Sequence, residues 1–150
     1  NQPVITSPLS AYIPNSYISN LSTRLAFYKK LALVRTLSQT EEIKHELTDR
    51  FGTLPIYIEN LLYIATLKFL AIDAGVHSIS KTKHNITITL DAPVSGGAMA
   101  LEKTLGHGVS VGNQQIRLAI HEEEKTWKNN LIKSLKGISS FREKVSRLIR

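Results

Sequence analysis

The N-terminal part of the chain changes from an extended pattern to a helical one. Apolar positions lie between Pro3 and Pro8, and prolines around so short a stretch are typical of an edge strand or an extended arm. From residue 21, apolar residues recur at steps of three and four, which predicts an amphipathic first helix. Its apolar stripe consists of Leu21, Leu25, Tyr28, Leu31 and Ala32.

Local signals mark two more helices before residue 76. Ser38 and Glu41 have the spacing of a capping box, which predicts the start of a second helix there. That helix is expected to end at Phe51-Gly52, because glycine adopts the left-handed conformation of a helix end at little cost. Pro55 suits the first turn of a third helix, which we expect to run to about Ala74.

From residue 76 the apolar positions alternate, which is the pattern of β-strands. Two hairpins are predicted, one from Val76–Ser80 with Asn85–Leu90 and one from Val109–Val111 with Gln115–Ile120. Lys83-His84 joins the first pair, and Gly112-Asn113 suits a two-residue turn in the second. Between the hairpins a short helix is predicted over Val94–Leu105.

The last part of the chain returns to a helical period. One apolar face is formed by Trp127, Leu131, Leu135, Ile138, Phe141, Val145 and Leu148. Gly137 and a capping box from Ser140 to Glu143 are expected to divide this stretch into two helices. The predicted fold is α+β in a single domain over residues 1–150. Its helical part covers about 20–75, its sheet with the short helix about 76–121, and its basic terminal helices about 122–150.

The net charge of +7 is concentrated at the C-terminal end of the chain. Residues 1–124 hold eleven basic and eleven acidic side chains, whereas residues 125–150 hold eight basic ones and only one acidic residue, Glu143. The basic residues are Lys125, Lys128, Lys133, Lys136, Arg142, Lys144, Arg147 and Arg150. Two interpretations stay open: a solvated outer face of core helices, or a surface for nucleic acid or another acidic partner.

Residue patterns typical of catalysis are lacking, so we expect the domain not to be an enzyme. The chain has no cysteine, which excludes thiolate zinc sites and thiol nucleophiles. Its glycine pairs lack the Lys-Ser/Thr of a phosphate-binding loop, and its histidines lack the spacing of a zinc hydrolase. We therefore expect no catalytic, cofactor-binding or metal-binding residues, and a cytoplasmic protein without a membrane segment.

Glu46 and Asp49 form an unusual pair near the predicted end of the second helix. Residues three apart are neighbours on one helical face. Carboxylates at a helix C-terminus repel each other and the negative end of the helix dipole. The arrangement is more favourable if arginines from elsewhere meet it, so we identify Glu46 and Asp49 as a candidate interface.

At these residues the chain resembles the C-terminal domain of the bacterial transcription-repair coupling factor family. The resemblance covers about residues 11–75, and beyond residue 76 it lies only in the order of strands and terminal helices. The matching motifs are Ile13-Pro14-x-x-Tyr17-Ile18, Arg24-Leu25-x-x-Tyr28-Lys29-Lys30-Leu31, Glu46-Leu47-x-Asp49-Arg50-Phe51-Gly52-x-Leu54-Pro55 and Asn60-Leu61-Leu62.

The resemblance implies a regulatory, autoinhibitory domain of a larger protein in transcription-coupled nucleotide excision repair of DNA damage. The full-length protein would be an ATP-dependent DNA translocase acting on RNA polymerase, with ATP and magnesium bound by upstream motor domains. This last domain would dock in cis on a UvrB-like N-terminal module and so mask the surface that binds UvrA. Glu46 and Asp49 are the residues that the resemblance places in this protein–protein interface.

Nucleic-acid binding through the basic helices 125–150 is the alternative function. The isolated domain is expected to be monomeric, with pairing of its docking surface with a second copy as the alternative.

Overall fold

The computed structural model describes residues 2–94, 96–121 and 123–149. The chain divides into two compact units, one formed by residues 8–69 and one by residues 1–7 with 70–150. The helices are α1 (Leu21–Ala32), α2 (Leu37–Phe51), α3 (Ile56–Ala74), α4 (Ala98–Leu105) and α5 (Glu124–Ile149). The strands are β1 (Val4–Thr6), β2 (Val76–Lys81), β3 (Asn85–Leu90), β4 (Val109–Val111) and β5 (Gln115–Ala119). The predicted α+β class is confirmed.

In the unit of residues 8–69, the predicted apolar stripe of α1 is wrong in part. Leu21 and Leu25 are exposed at 60% and 58% of their surface, whereas Phe27 and Leu31 are buried. The reason is that α1 packs through the side that carries its largest apolar residue, Phe27. The predicted stripe, which was based on steps of three and four residues, does not include Phe27. Burying an aromatic ring removes more apolar surface from water than burying either leucine.

Helix α2 begins two residues earlier than its predicted capping box. Thr36 is the N-cap, and its Oγ accepts a hydrogen bond of 3.1 Å from the Gln39 backbone N–H. Gln39 Oε1 accepts a bond of 2.7 Å from the Arg35 N–H, one residue before the N-cap, so Thr36 and Gln39 have the spacing of a capping box but the return bond reaches Arg35 and not Thr36. The predicted start at Ser38 is therefore wrong, although the type of signal was right.

The other unit contains a five-stranded sheet in the order β1-β2-β3-β5-β4. β1 pairs in parallel with β2 and is an edge strand, which is one of the two structures that its prolines indicated. The remaining pairs are antiparallel, and both predicted hairpins are present. β3 lies at the centre of the sheet, where Ile86, Ile88 and Leu90 all point into the core.

Helix α5 is one continuous helix, so the predicted division at Gly137 is wrong. A Cβ at Gly137 would lie 2.7 Å from Leu105 Cδ2 at the end of α4. Glycine at this position therefore permits a close approach of α4 and does not interrupt the helix. Helix α4 itself begins at Ala98 and not at Val94, because Gly96 has a φ of 84°, outside the helical region.

The buried face of α5 ends earlier than its apolar pattern. Trp127, Leu131, Leu135 and Ile138 are buried, whereas Val145 and Leu148 are exposed. The spacing of apolar residues predicts one apolar face as far as Leu148. The sheet and α4, however, cover only the first half of the helix.

This difference is testable within one helix. Ile138→Ala is expected to lower the free energy of unfolding by about 2–5 kcal/mol, because it leaves a cavity at a side chain with 0% exposure. Leu148→Ala is the matched control and should change it by less than about 0.5 kcal/mol, because Leu148 is 86% exposed. Urea denaturation of the two variants checks this, and equal losses would contradict the described core.

Candidate functional site

The C-terminal end of α2 is closed by a glycine and held by a tyrosine. Gly52 has a φ of 91°, and its N–H donates to the Thr48 carbonyl at 3.0 Å. The Tyr17 hydroxyl lies 3.0 Å from the Leu47 carbonyl oxygen and 2.7 Å from that of Gly52. Burial raises the pKa of Tyr17 above its ordinary value of 10.0, so its hydroxyl stays protonated and able to donate well above neutral pH. The hydroxyl proton therefore points at the carbonyl oxygens of Leu47, in the last turn, and of the C-cap residue Gly52, which ties Tyr17 to the helix end.

Three aromatic rings pack beneath this helix end. Phe51 lies 5.7 Å from Tyr17 and 6.2 Å from Phe27, measured between ring centroids. The Phe27–Phe51 pair is edge-to-face, an arrangement that the ring quadrupoles favour. Phe51 thereby fixes the rotation of the last turn of α2, and with it the direction in which the neighbouring carboxylates point.

Glu46 is held between two cations. Its Oε1 is 2.9 Å from Lys30 Nζ of α1, and its Oε2 is 2.9 Å from Arg50 Nη1, one turn further along α2. The Lys30 hydrogen bond, followed by that of Arg50, lowers the pKa of Glu46. Both cations also lie over the Phe27 ring, with Lys30 Nζ at 5.0 Å and Arg50 Cζ at 5.6 Å from its centroid.

Asp49 is much less constrained than Glu46. Its side chain is 65% exposed, against 35% for Glu46, and its one ion pair with a described residue is a 3.3 Å contact with His45 Nε2. That pair carries charge only when the imidazole is protonated. Asp49 therefore presents carboxylate lone pairs to solvent that an external donor can use.

The two carboxylates share one surface. Both border a shallow, open depression along α2, whose lining consists of Ser38, Glu41, Glu42, Lys44, His45, Glu46, Thr48 and Asp49. Carboxylates outnumber cations in this lining, so its field favours a cationic ligand. A planar guanidinium is the donor that pairs best with such oxygens, because it can form two parallel hydrogen bonds.

Sequence reasoning brought Glu46 and Asp49 together correctly, but it missed Lys30. The Lys30–Glu46 pair joins α1 to α2 over sixteen positions of sequence. A surface lysine carries no signal of such a partner in its neighbours along the chain. Only the packing of the two helices brings the ammonium to the carboxylate.

The basic residues of α5 are not equivalent in the structure. Five of them share the side opposite the buried one, because successive residues of a helix are rotated by about 100°. We call this side the basic ridge, and it consists of Lys125, Lys133, Lys136, Lys144 and Arg147. Of these, Arg147 forms an ion pair with Glu143, one turn before it.

The other predicted members of that set are placed differently. Lys128 keeps only 17% of its side chain exposed and lies 3.5 Å from Glu124. The Arg142 guanidinium covers Gly75, where a Cβ would meet its Nη1 at 2.6 Å. Arg150 lies outside the described residues.

Other kinds of site find no support in the part of the chain that the structure describes. Its histidines and carboxylates form no group of three able to hold a metal ion. None of its helices combines the length and hydropathy needed to cross a bilayer.

Comparison with known proteins assigns the chain to a family. The chain matches the TRCF domain family over residues 7–97, a range that includes the whole acidic surface of α2. It is 33% identical over 129 residues to the transcription-repair-coupling factor of Staphylococcus haemolyticus, which is 82% of this chain and 11% of that protein. It is 46% identical over 80 residues to that of Buchnera aphidicola subsp. Acyrthosiphon pisum, which is 53% of this chain and 10% of that protein.

A solved structure agrees with this assignment at the level of the fold. The crystal structure of a C-terminal domain of transcription-repair coupling factor superposes with a TM-score of 0.76, covering 95% of this chain and 96% of that one at 21% identity. The chain spans only about a tenth of the length of the curated relatives it matches. From the family match and the S. haemolyticus relative together, the chain belongs to the TRCF domain family.

Proposed function

We propose that this domain is a non-catalytic, autoinhibitory docking domain of a transcription-repair coupling factor. It docks in cis on the UvrB-like N-terminal module of the same protein and masks the surface that binds UvrA. In this proposal the longer protein is the ATP-dependent DNA translocase that acts on stalled RNA polymerase. The observation that carries the proposal is the exposed Asp49 beside Glu46 at the end of α2.

The arrangement of charge around α2 supports an arginine-bearing partner. Asp49 stands in the last turn of the helix, where the dipole disfavours a negative charge. A guanidinium that reaches Asp49 removes this penalty and forms charge-assisted hydrogen bonds. The site is therefore more favourable when it is docked than when it is free.

The two carboxylates take different parts in this docking. Glu46 already pairs with two cations, Lys30 and Arg50. An arginine of the docking partner must therefore share the Glu46 carboxylate with these cations or displace one of them. Asp49 needs only to leave His45. We infer that Asp49 is the first acceptor for the partner, and that Glu46 holds the helix end in place and adds negative potential.

Weak docking is sufficient for autoinhibition. Within one polypeptide the partner surface is present at an effective concentration on the order of 1 mM. An intrinsic dissociation constant of ~10 μM would then keep roughly 99% of molecules closed. An interface of this strength can be released by a competing interaction elsewhere in the protein.

A second candidate function is binding to the phosphate backbone of nucleic acid. The observation that favours it is the basic ridge, which lies along one side of a single helix. Its span from Lys125 to Arg147 is ~33 Å at 1.5 Å per residue. Cations spaced along such a line gain from the counterions that they release from a nucleic acid.

The docking proposal predicts the outcome of a calorimetric titration. Glu46→Ala/Asp49→Ala should reduce binding to the matching N-terminal module by about 2–5 kcal/mol, which abolishes measurable heat for a weak complex. Of the single variants, Asp49→Ala should lose more affinity than Glu46→Ala. The wild-type domain should bind with a dissociation constant in the micromolar to sub-millimolar range.

A charge-matched control separates a local effect from a change in net charge. Glu59→Ala/Asp73→Ala removes two exposed carboxylates from α3 and should leave the affinity within about twofold. Binding that survives in Glu46→Ala/Asp49→Ala would move the interface away from α2. Absence of binding by the wild-type domain would remove the basis for calling it inhibitory.

The cations around Glu46 also predict a pH-dependent stability. Glu46→Gln is expected to lower the free energy of unfolding at pH 7 by no more than about 1 kcal/mol, since the pair is partly exposed and screened. Because the folded-state pKa of Glu46 is lowered, this stabilisation is present above the unfolded value of about 4.3. It is lost as the pH falls through the folded pKa.

Chemical denaturation at a series of pH values measures this effect. The difference between wild type and Glu46→Gln should shrink between about pH 5 and pH 3. Glu59→Gln, at an exposed position on α3, is the control and should show no such convergence. A difference for Glu46→Gln that stays constant over this range would show that the contacts to Lys30 and Arg50 do not stabilise the charged form.

The nucleic-acid proposal is tested by its salt dependence. For a duplex probe in a mobility-shift titration, log K should fall with log salt by ~0.9 for each phosphate neutralised. Lys136→Gln/Arg147→Gln should reduce this slope by up to about 2. A wild-type domain that fails to shift the probe at low salt would exclude this function for the isolated domain.

A further inference from the structure

A second cavity lies far along the chain from the acidic surface of α2. It is a partly open cleft between α5, the β4–β5 hairpin and the loop that follows α4, all within the unit that contains the sheet. Its volume is about 580 Å³, which is in the range of small-molecule sites. Except for Ile86, its lining residues lie outside the segment 7–97 that matches the family.

The inner wall of the cavity is apolar and aromatic. Ile86 of β3, Leu118 of β5 and Ile120 contribute buried aliphatic side chains. Trp127, the one tryptophan of the chain, lines it from the first turn of α5. A flat or aliphatic group that enters would be removed from water on several sides, which is the main source of affinity in such sites.

The mouth of the cavity carries nitrogen donors. The exposed side chains of His107, His121 and Lys133 all border it. Lys133 forms no ion pair with a described residue, unlike Lys128 on the same helix, which pairs with Glu124. The described lining includes no carboxylate. Its charge therefore favours an anionic group at the mouth and disfavours a metal cation.

The loop that carries His107 has a fixed backbone. Gly106 and Gly108 on either side have φ values of 91° and 81°, a region that other residues rarely adopt. The Gly106 N–H donates to the Glu102 carbonyl at 3.0 Å, and the Gly108 carbonyl accepts from the Ala119 N–H at 3.0 Å. These bonds connect the loop to α4 on one side and to β5 on the other. They hold the backbone of His107 at the mouth of the cavity.

We propose that this cavity binds a small amphiphilic anion, with an apolar or aromatic body against Trp127 and an anionic group at the mouth, held by Lys133 with His107 and His121. A carboxylate or phosphate attached to one or two aromatic rings fits both parts of the site, because the rings contact the apolar wall and the anion reaches the nitrogen donors at the mouth. Such a group can belong to a free small molecule or to an aromatic–acidic pair of side chains in a protein segment. The cavity is independent of the docking proposed for α2, because none of its lining residues belongs to that surface.

The indole N–H of Trp127 offers a direct readout, because it gives the only tryptophan side-chain signal in a ¹H–¹⁵N spectrum of the chain. The probe is 2-naphthoate, and 2-naphthamide is its uncharged analogue of nearly the same shape. Titration with 2-naphthoate should produce a saturable shift of the indole signal and of the Gly106 and Gly108 amides. The amide analogue should bind about tenfold more weakly, because it lacks the charge that Lys133 recognises.

Matched variants on α5 locate the charge. Lys133→Gln should weaken 2-naphthoate binding by about tenfold and leave the naphthamide affinity unchanged. Lys136→Gln removes an exposed lysine one turn away that does not line the cavity, and it should leave both affinities within about twofold. His107→Gln is a second variant at the mouth and should weaken binding of the anion more than that of the amide.

Three results would overturn the proposal: no saturable shift of the Trp127 signal at millimolar probe, equal affinity for the acid and the amide, or equal weakening by Lys133→Gln and Lys136→Gln. A further titration with the peptide acetyl-Phe-Asp-amide identifies the source of the ligand. Tighter binding of the peptide than of 2-naphthoate assigns the site to a protein segment, and the reverse order assigns it to a free small molecule.

Discussion

The acidic surface of α2 depends on the packing of Phe51 against Phe27 and Tyr17. This contact sets the rotation of the last helical turn, and the Tyr17 hydroxyl donates to the Gly52 carbonyl at the helix end. Because Phe27 comes from α1, the same packing brings Lys30 to Glu46. The aromatic cluster and the charged pair above it are therefore one structural unit.

This arrangement combines stability of the free domain with the reversible docking that we propose. Two uncompensated carboxylates at the end of a helix would destabilise the free domain. Pairing one of them internally and leaving the other exposed keeps the domain stable alone and still attractive to an arginine. The affinity that the proposed docking in cis requires is modest, so this docking needs no extensive apolar interface.

Helix α5 combines three roles through its different sides. Its buried side covers the sheet, its opposite side carries the basic ridge, and the flank near Gly137 and Ser134 closes the second cavity. Gly137 and Leu105 both line this cavity, and the absence of a Cβ at Gly137 lets Leu105 approach the helix backbone. The second half of the helix extends beyond the core, which leaves Val145 and Leu148 exposed.

The sequence by itself determined the α+β class, the two hairpins and the neighbourhood of Glu46 and Asp49, and it limited the first residues to an edge strand or an extended arm. All of these follow from local chemistry: apolar period, turn residues, prolines and the three-residue step of a helix. Tertiary structure decided which side of α1 is buried, how far the core follows α5, why Gly137 is tolerated, and that Lys30 neutralises part of the acidic pair. Each of these depends on contacts between residues that are far apart in the sequence. The local spacing of residues along the chain does not show which distant residues will be in contact.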